Sequence, residues 1–241
     1  FGKRYIEEVS FFKTTNYQQK VLPETQFENL KFTKIIIKGA TSATSSHYKL
    51  VNVKSSDIKK IFIEVIEEDL MIVGAKGEVK LVKNLDVKNS KVLTTNLDKF
   101  KIHEILDIAI IKKDLFISFS YKINQVDACS FFYLVRAPLK KDNLIFENFY
   151  KGKKCSKDTY GGRIASFNFN NKDGFLLTMS AQEEWKHLAQ DANSPYGKIL
   201  FFDLNNSKPI IISKGHRNPQ GLFVDGKTIL ATEHGPYGGD E

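Results

Sequence analysis

From residue 60 onward the chain never stays apolar for long. Short runs rich in Ile, Val, Phe and Tyr are broken by Gly, Asn, Asp or Lys before they reach helical length. The runs come in fours. KIFIEVI (60–66), DLMIVGA (69–75), EVKLV (78–82) and KVLTT (91–95) make one set. ILDIAII (105–111), LFISFSY (115–121), SFFYLVRA (130–137) and LIFENF (144–149) make a second. RIASFNF (163–169), GFLLTM (174–179), GKILFFD (197–203) and PIIIS (209–213) make a third, and GLFV (221–224) with TILAT (228–232) begins a fourth. In every set a tight turn leads into the second run: "EEDL", "KKDL", "NKDGF", "VDGKT". Four antiparallel strands in roughly 40 to 50 residues, repeated, predict an all-β chain of radially arranged blades, a β-propeller. The competing arrangement is a β-sandwich with irregular loops, and the weak internal similarity favours the propeller. Blades are expected over about residues 60–97, 105–149 and 163–213, with an incomplete one at 221–241.

Two stretches fall outside this rhythm. SAQEEWKHLAQDA (180–192) reads as a short helix or an ordered loop between the second and third strands of the third set. Residues 1–59 form an N-terminal arm or extra strands; KFTKIIIK (31–38) and HYKLVNV (47–53) read as strands across a Ser/Thr-rich loop. They either supply an outer closing strand or make a small preceding element, and both placements stay open. The sequence opens on Phe1, not Met, so a trimmed chain is expected, with any signal peptide or anchor upstream.

Composition narrows the function classes. With 241 residues, 41% hydrophobic and 27% charged, the chain can bury one sizeable core. No apolar run approaches the ~20 residues of a membrane-spanning helix. The net charge is +8, but Arg occurs only at Arg4, Arg136, Arg163 and Arg217. Nucleic-acid surfaces cluster Arg with aromatic residues, so no nucleic-acid partner is expected. Where Lys is the default cation, an Arg marks a place that needs a planar guanidinium. Cys129 and Cys155 lie in "QVDACSF" and "GKKCSKD", both loop-like. The even count fits one disulfide in an exported protein, or else two separate thiols.

The densest loop chemistry lies in residues 215–241, where GHRNPQGL (215–222) is followed by EHGPYGGDE (233–241). These segments resemble the soluble PQQ-dependent glucose and aldose sugar dehydrogenases, the glucose/sorbosone dehydrogenase-like β-propellers. Weaker likenesses lie at ILDIAI (105–110) with LFISFSY, GGRI (161–164) and AQDANSPYGKIL (189–200), so the resemblance spans about residues 60–241. It implies a six-bladed propeller, of which about three and a half blades stand in this chain. A fragment is expected, or a propeller completed by self-association or another protein partner, because unpaired edge strands recruit neighbours.

The resemblance also implies site residues. Arg217 and Asn218 would hold PQQ, with His216 and Gln220 flanking in structural roles. Backbone carbonyls of Gly235 and Pro236 would coordinate Ca²⁺ beside the cofactor, and Glu241 would bind a second calcium unless it and Asp240 form a solvated tail. Three positions depart from the family pattern. The catalytic base position is held by Thr159, which cannot act as a base at neutral pH, with Asp158 next to it as a weak candidate. Ser180 and Ala181 stand where the family has Gly-Asp. Ile102, beside His103, stands where a PQQ-contacting Gln is expected. His103, His187, His234 or Asp158 would have to replace the base. The expected function is PQQ- and calcium-dependent oxidation of a sugar C1 hydroxyl. The alternative is a catalytically inactive propeller that binds a carbohydrate or protein partner. A periplasmic or secreted location follows from the family likeness and the cysteine pair.

Overall fold

The structure, a computed structural model, describes residues 43–44, 49–50, 60–86, 90–122, 129–140, 142–156, 160–181 and 183–234. Before Lys60 the described residues are β1 (Ala43–Thr44) and β2 (Lys49–Leu50), an antiparallel pair. The strand expected at 31–38 lies outside the described residues.

Blade I is β3 (Ile61–Ile66), β4 (Asp69–Gly74), β5 (Val79–Val82) and β6 (Ser90–Val92), paired antiparallel in chain order. After β7 (Thr94–Thr95), blade II takes β8 (Ile102–Ile111), β9 (Asp114–Lys122) and β10 (Ser130–Pro138). Then β11 (Asn143–Leu144) pairs parallel with β7, tying blade II to blade I, before β12 (Glu147–Ser156) completes the sheet. Blade III is β13 (Gly161–Phe169), β14 (Lys172–Met179), β15 (Lys198–Asp203) and β16 (Asn206–Lys214). Blade IV is described as far as the hairpin of β17 (Pro219–Asp225) and β18 (Thr228–Glu233). First strand meets first strand from blade to blade: β3 packs on β8, β8 on β13, and β13 on β17. A sandwich does not place successive sheets this way. The fold is a partial β-propeller with the first strands around its axis.

Each interblade space is a separate core. Met71, Leu81, Ile105, Leu115, Ile117 and Phe119 fill the space between blades I and II. Phe116, Phe132, Phe175, Leu177, Leu200 and Phe202 fill that between II and III. Leu176, Ile199 and Phe201 meet Leu222, Val224 and Ile229 between III and IV. The alternation of β9 explains the division: Leu115, Ile117 and Phe119 face one neighbour and Phe116 the other, all fully buried. In the II/III core the Phe116 and Phe175 rings lie 4.7 Å apart, with Phe202 5.4 Å from Phe175. Each buried Phe contributes about 2–3 kcal/mol.

The recurring turn that leads into the second strand is a two-residue hairpin in all four blades. Its first residue has positive φ each time: Glu67 (53°), Lys112 (57°), Asn170 (51°) and Gly226 (56°). Such turns match the right-handed twist of the strands they join.

Two element readings change. Cys155 is in strand β12, not a loop, and β12 runs over 147–156 instead of 144–149. That outer strand carries Lys151, Gly152, Lys153 and Lys154, an edge composition without an apolar signal. Of the short helix or ordered loop expected over 180–192, the structure forms kinked 3-10 turns at residues 183–189. The cysteines are bridged: Cys129 and Cys155 are disulfide-bonded with Cα atoms 5.3 Å apart. Among the described residues no helix is long and apolar enough to cross a membrane.

Candidate functional site

The segment between β16 and β17, residues 215–218, is fixed at nearly every backbone group. Gly215 N–H donates to Ala189 O (2.9 Å) and His216 N–H to Gly197 O (3.1 Å). Ala181 N–H donates to Arg217 O (2.8 Å), and His234 N–H to Asn218 O (3.1 Å). The loop therefore rests on blade III's long excursion from one side and on blade IV's hairpin from the other. Gly197 makes the first contact possible. Its φ is +67°, and a Cβ there would meet His216 O at 2.5 Å.

Glu233, the last residue of β18, reaches back beneath the loop. One carboxylate oxygen accepts from His216 Nδ1. The other accepts the N–H of Arg217 (2.8 Å) and of Asn218 (3.3 Å). His216 Nε2 in turn meets Ser213 Oγ at 2.8 Å. The Arg217 guanidinium is exposed and donates through Nη1 to His234 O (3.1 Å). Asn218 is 9% exposed, and its Oδ1 is buried with no hydrogen-bond partner among the described residues. A buried polar atom without a partner costs about 1–3 kcal/mol, so a ligand that satisfies it gains that much.

Deeper along the axis, the first strands carry charge. Arg163 of β13 donates from Nη1 to Leu106 O in blade II (2.7 Å) and from Nε to Gln220 O in blade IV (2.6 Å). Asp107 of β8 lies 3.7 Å from Arg163 Nη1 and accepts the Ile164 N–H at 2.8 Å. Burial pushes the Asp107 carboxyl up to about 6 against the pull of Arg163. Glu64 of β3 is pushed up to about 7, by burial first and then by the Asp107 charge. Neither acid stands out in the sequence, because nothing in ILDIAI or IFIEVI tells an axial carboxylate from a solvated one.

The structure brings His216, Arg217 and Asn218 together on one loop, with Gln220 following in β17. Thr159, Asp158, Gly235, Pro236, Asp240 and Glu241 lie outside the described residues. The three departures at described positions have packing roles. Ile102 packs against the I/II core. Ala181 is buried in the II/III core, and Ser180 Oγ donates to Tyr160 O at 2.8 Å. His103, His187 and His234 are exposed. No three His, Cys, Asp or Glu side chains converge on a metal position among the described residues. What the sequence reading missed is Glu233: it reads as the first letter of an EHGP motif, while its role is to hold the preceding loop.

The family model for Glucose / Sorbosone dehydrogenase matches residues 63–241. A solved glucose dehydrogenase superposes with a TM-score of 0.57 at 20% identity, covering 75% of this chain and 63% of that one. A second glucose dehydrogenase crystal structure gives 0.57 at 19% identity, covering 75% and 58%. The chain thus spans about three fifths of the length of these solved chains, and at this identity the likeness is one of fold. No curated protein matches the chain. With three four-stranded blades, a fourth begun, and a family model that matches from Ile63 within β3 onward, the chain belongs to the glucose/sorbosone dehydrogenase family.

Proposed function

We propose that this chain carries the cofactor-holding part of a PQQ- and calcium-dependent sugar dehydrogenase. The observation that supports it is the 215–218 loop, which presents the exposed Arg217 beside the buried Asn218, whose amide oxygen has no hydrogen-bond partner among the described residues. These residues fit a carboxylate-bearing ortho-quinone. The planar donors of Arg217 suit its anionic oxygens, and the Asn218 amide can turn either its carbonyl or its NH₂ toward it. When bound, PQQ supplies the two-electron oxidant for a sugar C1 hydroxyl. Gly235 and Pro236 would bring calcium to the same place through main-chain oxygens, and Glu241 a second ion.

The chain's own task is then to hold the oxidant, orient the sugar and accept the hydroxyl proton. Arg217 and Asn218 support the first. For the last, Thr159 occupies the base position implied by the resemblance, with Asp158 beside it. A missing general base lowers the rate by about 10²–10⁴. The packing of Ile102 and Ala181 into cores favours the second reading, an inactive propeller that keeps its cofactor floor and binds a carbohydrate or protein partner. The Cys129–Cys155 bridge supports an oxidising, periplasmic or extracellular location.

Calorimetric titration of PQQ with and without Ca²⁺, followed by sugar-dependent reduction of a dye, separates the readings. Calcium-dependent binding with turnover that is lost in Arg217→Ala is the expected result for the enzyme. Binding without turnover selects the inactive propeller. Absence of binding overturns the cofactor reading.

A further inference from the structure

Glu233 takes one side-chain donor and two main-chain donors, all from the three residues that precede Pro219. It fixes the backbone that carries Arg217 and Asn218 while leaving their side chains to other partners. We propose that Glu233, backed by His216 and Ser213, is the positioning residue of the cofactor clamp. It sets where Arg217 and Asn218 stand without touching the ligand. This inference rests on the cofactor reading above.

The order Ser213–His216–Glu233 is also that of a nucleophilic triad, but its placement argues for holding. Ser213 is on β16, the outermost strand of blade III, paired with Ile199 and remote from the first strands that line the axis. Glu233 is shared with two backbone amides, and the main-chain N–H of His216 is tied to Gly197 O, so the imidazole stands on a fixed backbone. The chain of bonds runs from the rim of one blade, through the loop, to the hairpin of the next. Its product is a fixed backbone.

Glutamine offers a sharp discrimination. In Glu233→Gln the amide oxygen can still accept from Arg217 and Asn218. The amide NH₂ can donate to His216 Nδ1 if His216 adopts its other tautomer, and its Nε2–H then donates to Ser213 Oγ, a hydroxyl that accepts as readily as it donates. Every link survives and only the charge is lost. Alanine leaves all three donors without their acceptor. If Glu233 acted through its charge, glutamine would be as damaging as alanine.

The test uses two readouts on the whole protein. Hydrogen exchange of the Arg217 and Asn218 amides is followed without cofactor, and PQQ affinity is titrated in saturating Ca²⁺ at a temperature where each variant is folded. Glu233→Ala is expected to lose about tenfold or more in both amide protection and affinity, the scale of one hydrogen bond. Glu233→Gln should stay within about threefold in both. Ser213→Ala, which removes only the far end of the chain, should fall between them and keeps the test available if the alanine variant does not fold. Normal wild-type PQQ binding with Glu233→Ala unaffected, or with glutamine as harmful as alanine, overturns the inference alone. Failure of the wild-type protein to bind PQQ overturns the cofactor reading and the inference with it.

Discussion

Lys198 shows how little a residue type reveals about its duty. In a chain where Lys is the default surface cation, the Lys of GKILFFD reads as one more solvated charge. In the structure it is fully buried, and its ammonium donates to Leu188 O, Ala189 O and Tyr196 O, each at 2.8 Å. Three donors meet three acceptors, which is why the charge survives burial that lowers its pKa, with Asp191 opposing. Those carbonyls belong to the excursion between β14 and β15. Ala189 O also receives the Gly215 N–H, so Lys198 supports the 215–218 loop at one remove. Lys198→Met keeps the stem and removes the donors. It should destabilise the protein by about 2 kcal/mol, measured by urea unfolding, because Tyr196 O loses its donor while Leu188 O and Ala189 O keep only the main-chain N–H groups of Asp191 and Gly215. A change under 1 kcal/mol would mean that water or a shift of the 3-10 turns replaces the ammonium. The sequence could not show this contact, because it depends on an excursion returning over its own strand.

At the scale of elements, strands were legible in proportion to their burial. β9, β14 and β15 are buried on both faces over most of their length, carry the long apolar runs and stand out. The outer strand β12 is half lysine and glycine in its middle and was placed several residues early. The scarcity of arginine proved a usable signal. Arg136 Nη1 donates to Leu204 O, from blade II into the β15–β16 turn of blade III (2.9 Å), and Arg163 joins blade III to both of its neighbours. Both span blades by donating to main-chain carbonyls, a geometry that suits a forked planar cation and not an ammonium point charge. Close approach accompanies the second of these. Ser118 Oγ donates to Gly162 O at 2.6 Å, and Gly162 has φ +80° with Leu106 atoms 2.8 Å from where a Cβ would be. Arg163→Lys, which can serve at most one of the two neighbouring blades well, should cost about 2 kcal/mol in thermal or chemical unfolding. Equal stability would show that the cores alone hold the blades in register.

For the whole molecule, the propeller was legible because its repeat is written in turns as well as in strands. The 215–218 loop proposed to hold the cofactor was legible only through the resemblance carried by Arg217 and Asn218, and the carboxylate that ties its backbone, Glu233, was not. The axial acids make the assembly sensitive to pH. Glu64 is raised from an ordinary 4.5 to about 7, and Asp107 from 3.8 to about 6, both chiefly by desolvation. The folded chain therefore keeps protons that the unfolded chain releases. Stability is fullest below pH 4 as far as these two groups are concerned, and it declines as the pH rises to about 7. Asp69 and Asp173, held low by hydrogen bonds from Lys83 and Lys112, act in the opposite sense, but below their ordinary 3.8. The melting temperature should drop by several degrees between about pH 5 and pH 8, and Glu64→Gln should flatten that slope. A melting temperature that rises across this window would refute the assignment. The Cys129–Cys155 bond acts at the same scale. It joins the residue just before β10 to the last turn-side end of β12, where the chain leaves the rim of blade II for the axis at Gly161. The ladder between these two strands is broken by register shifts at Phe131/Tyr133 and Leu134/Val135. A tug on the departing chain is thus taken by a covalent link and not by that interrupted seam. The bridge works as a cable clamp, and blade II cannot be unzipped from its outer edge by pulling on the blade that follows it.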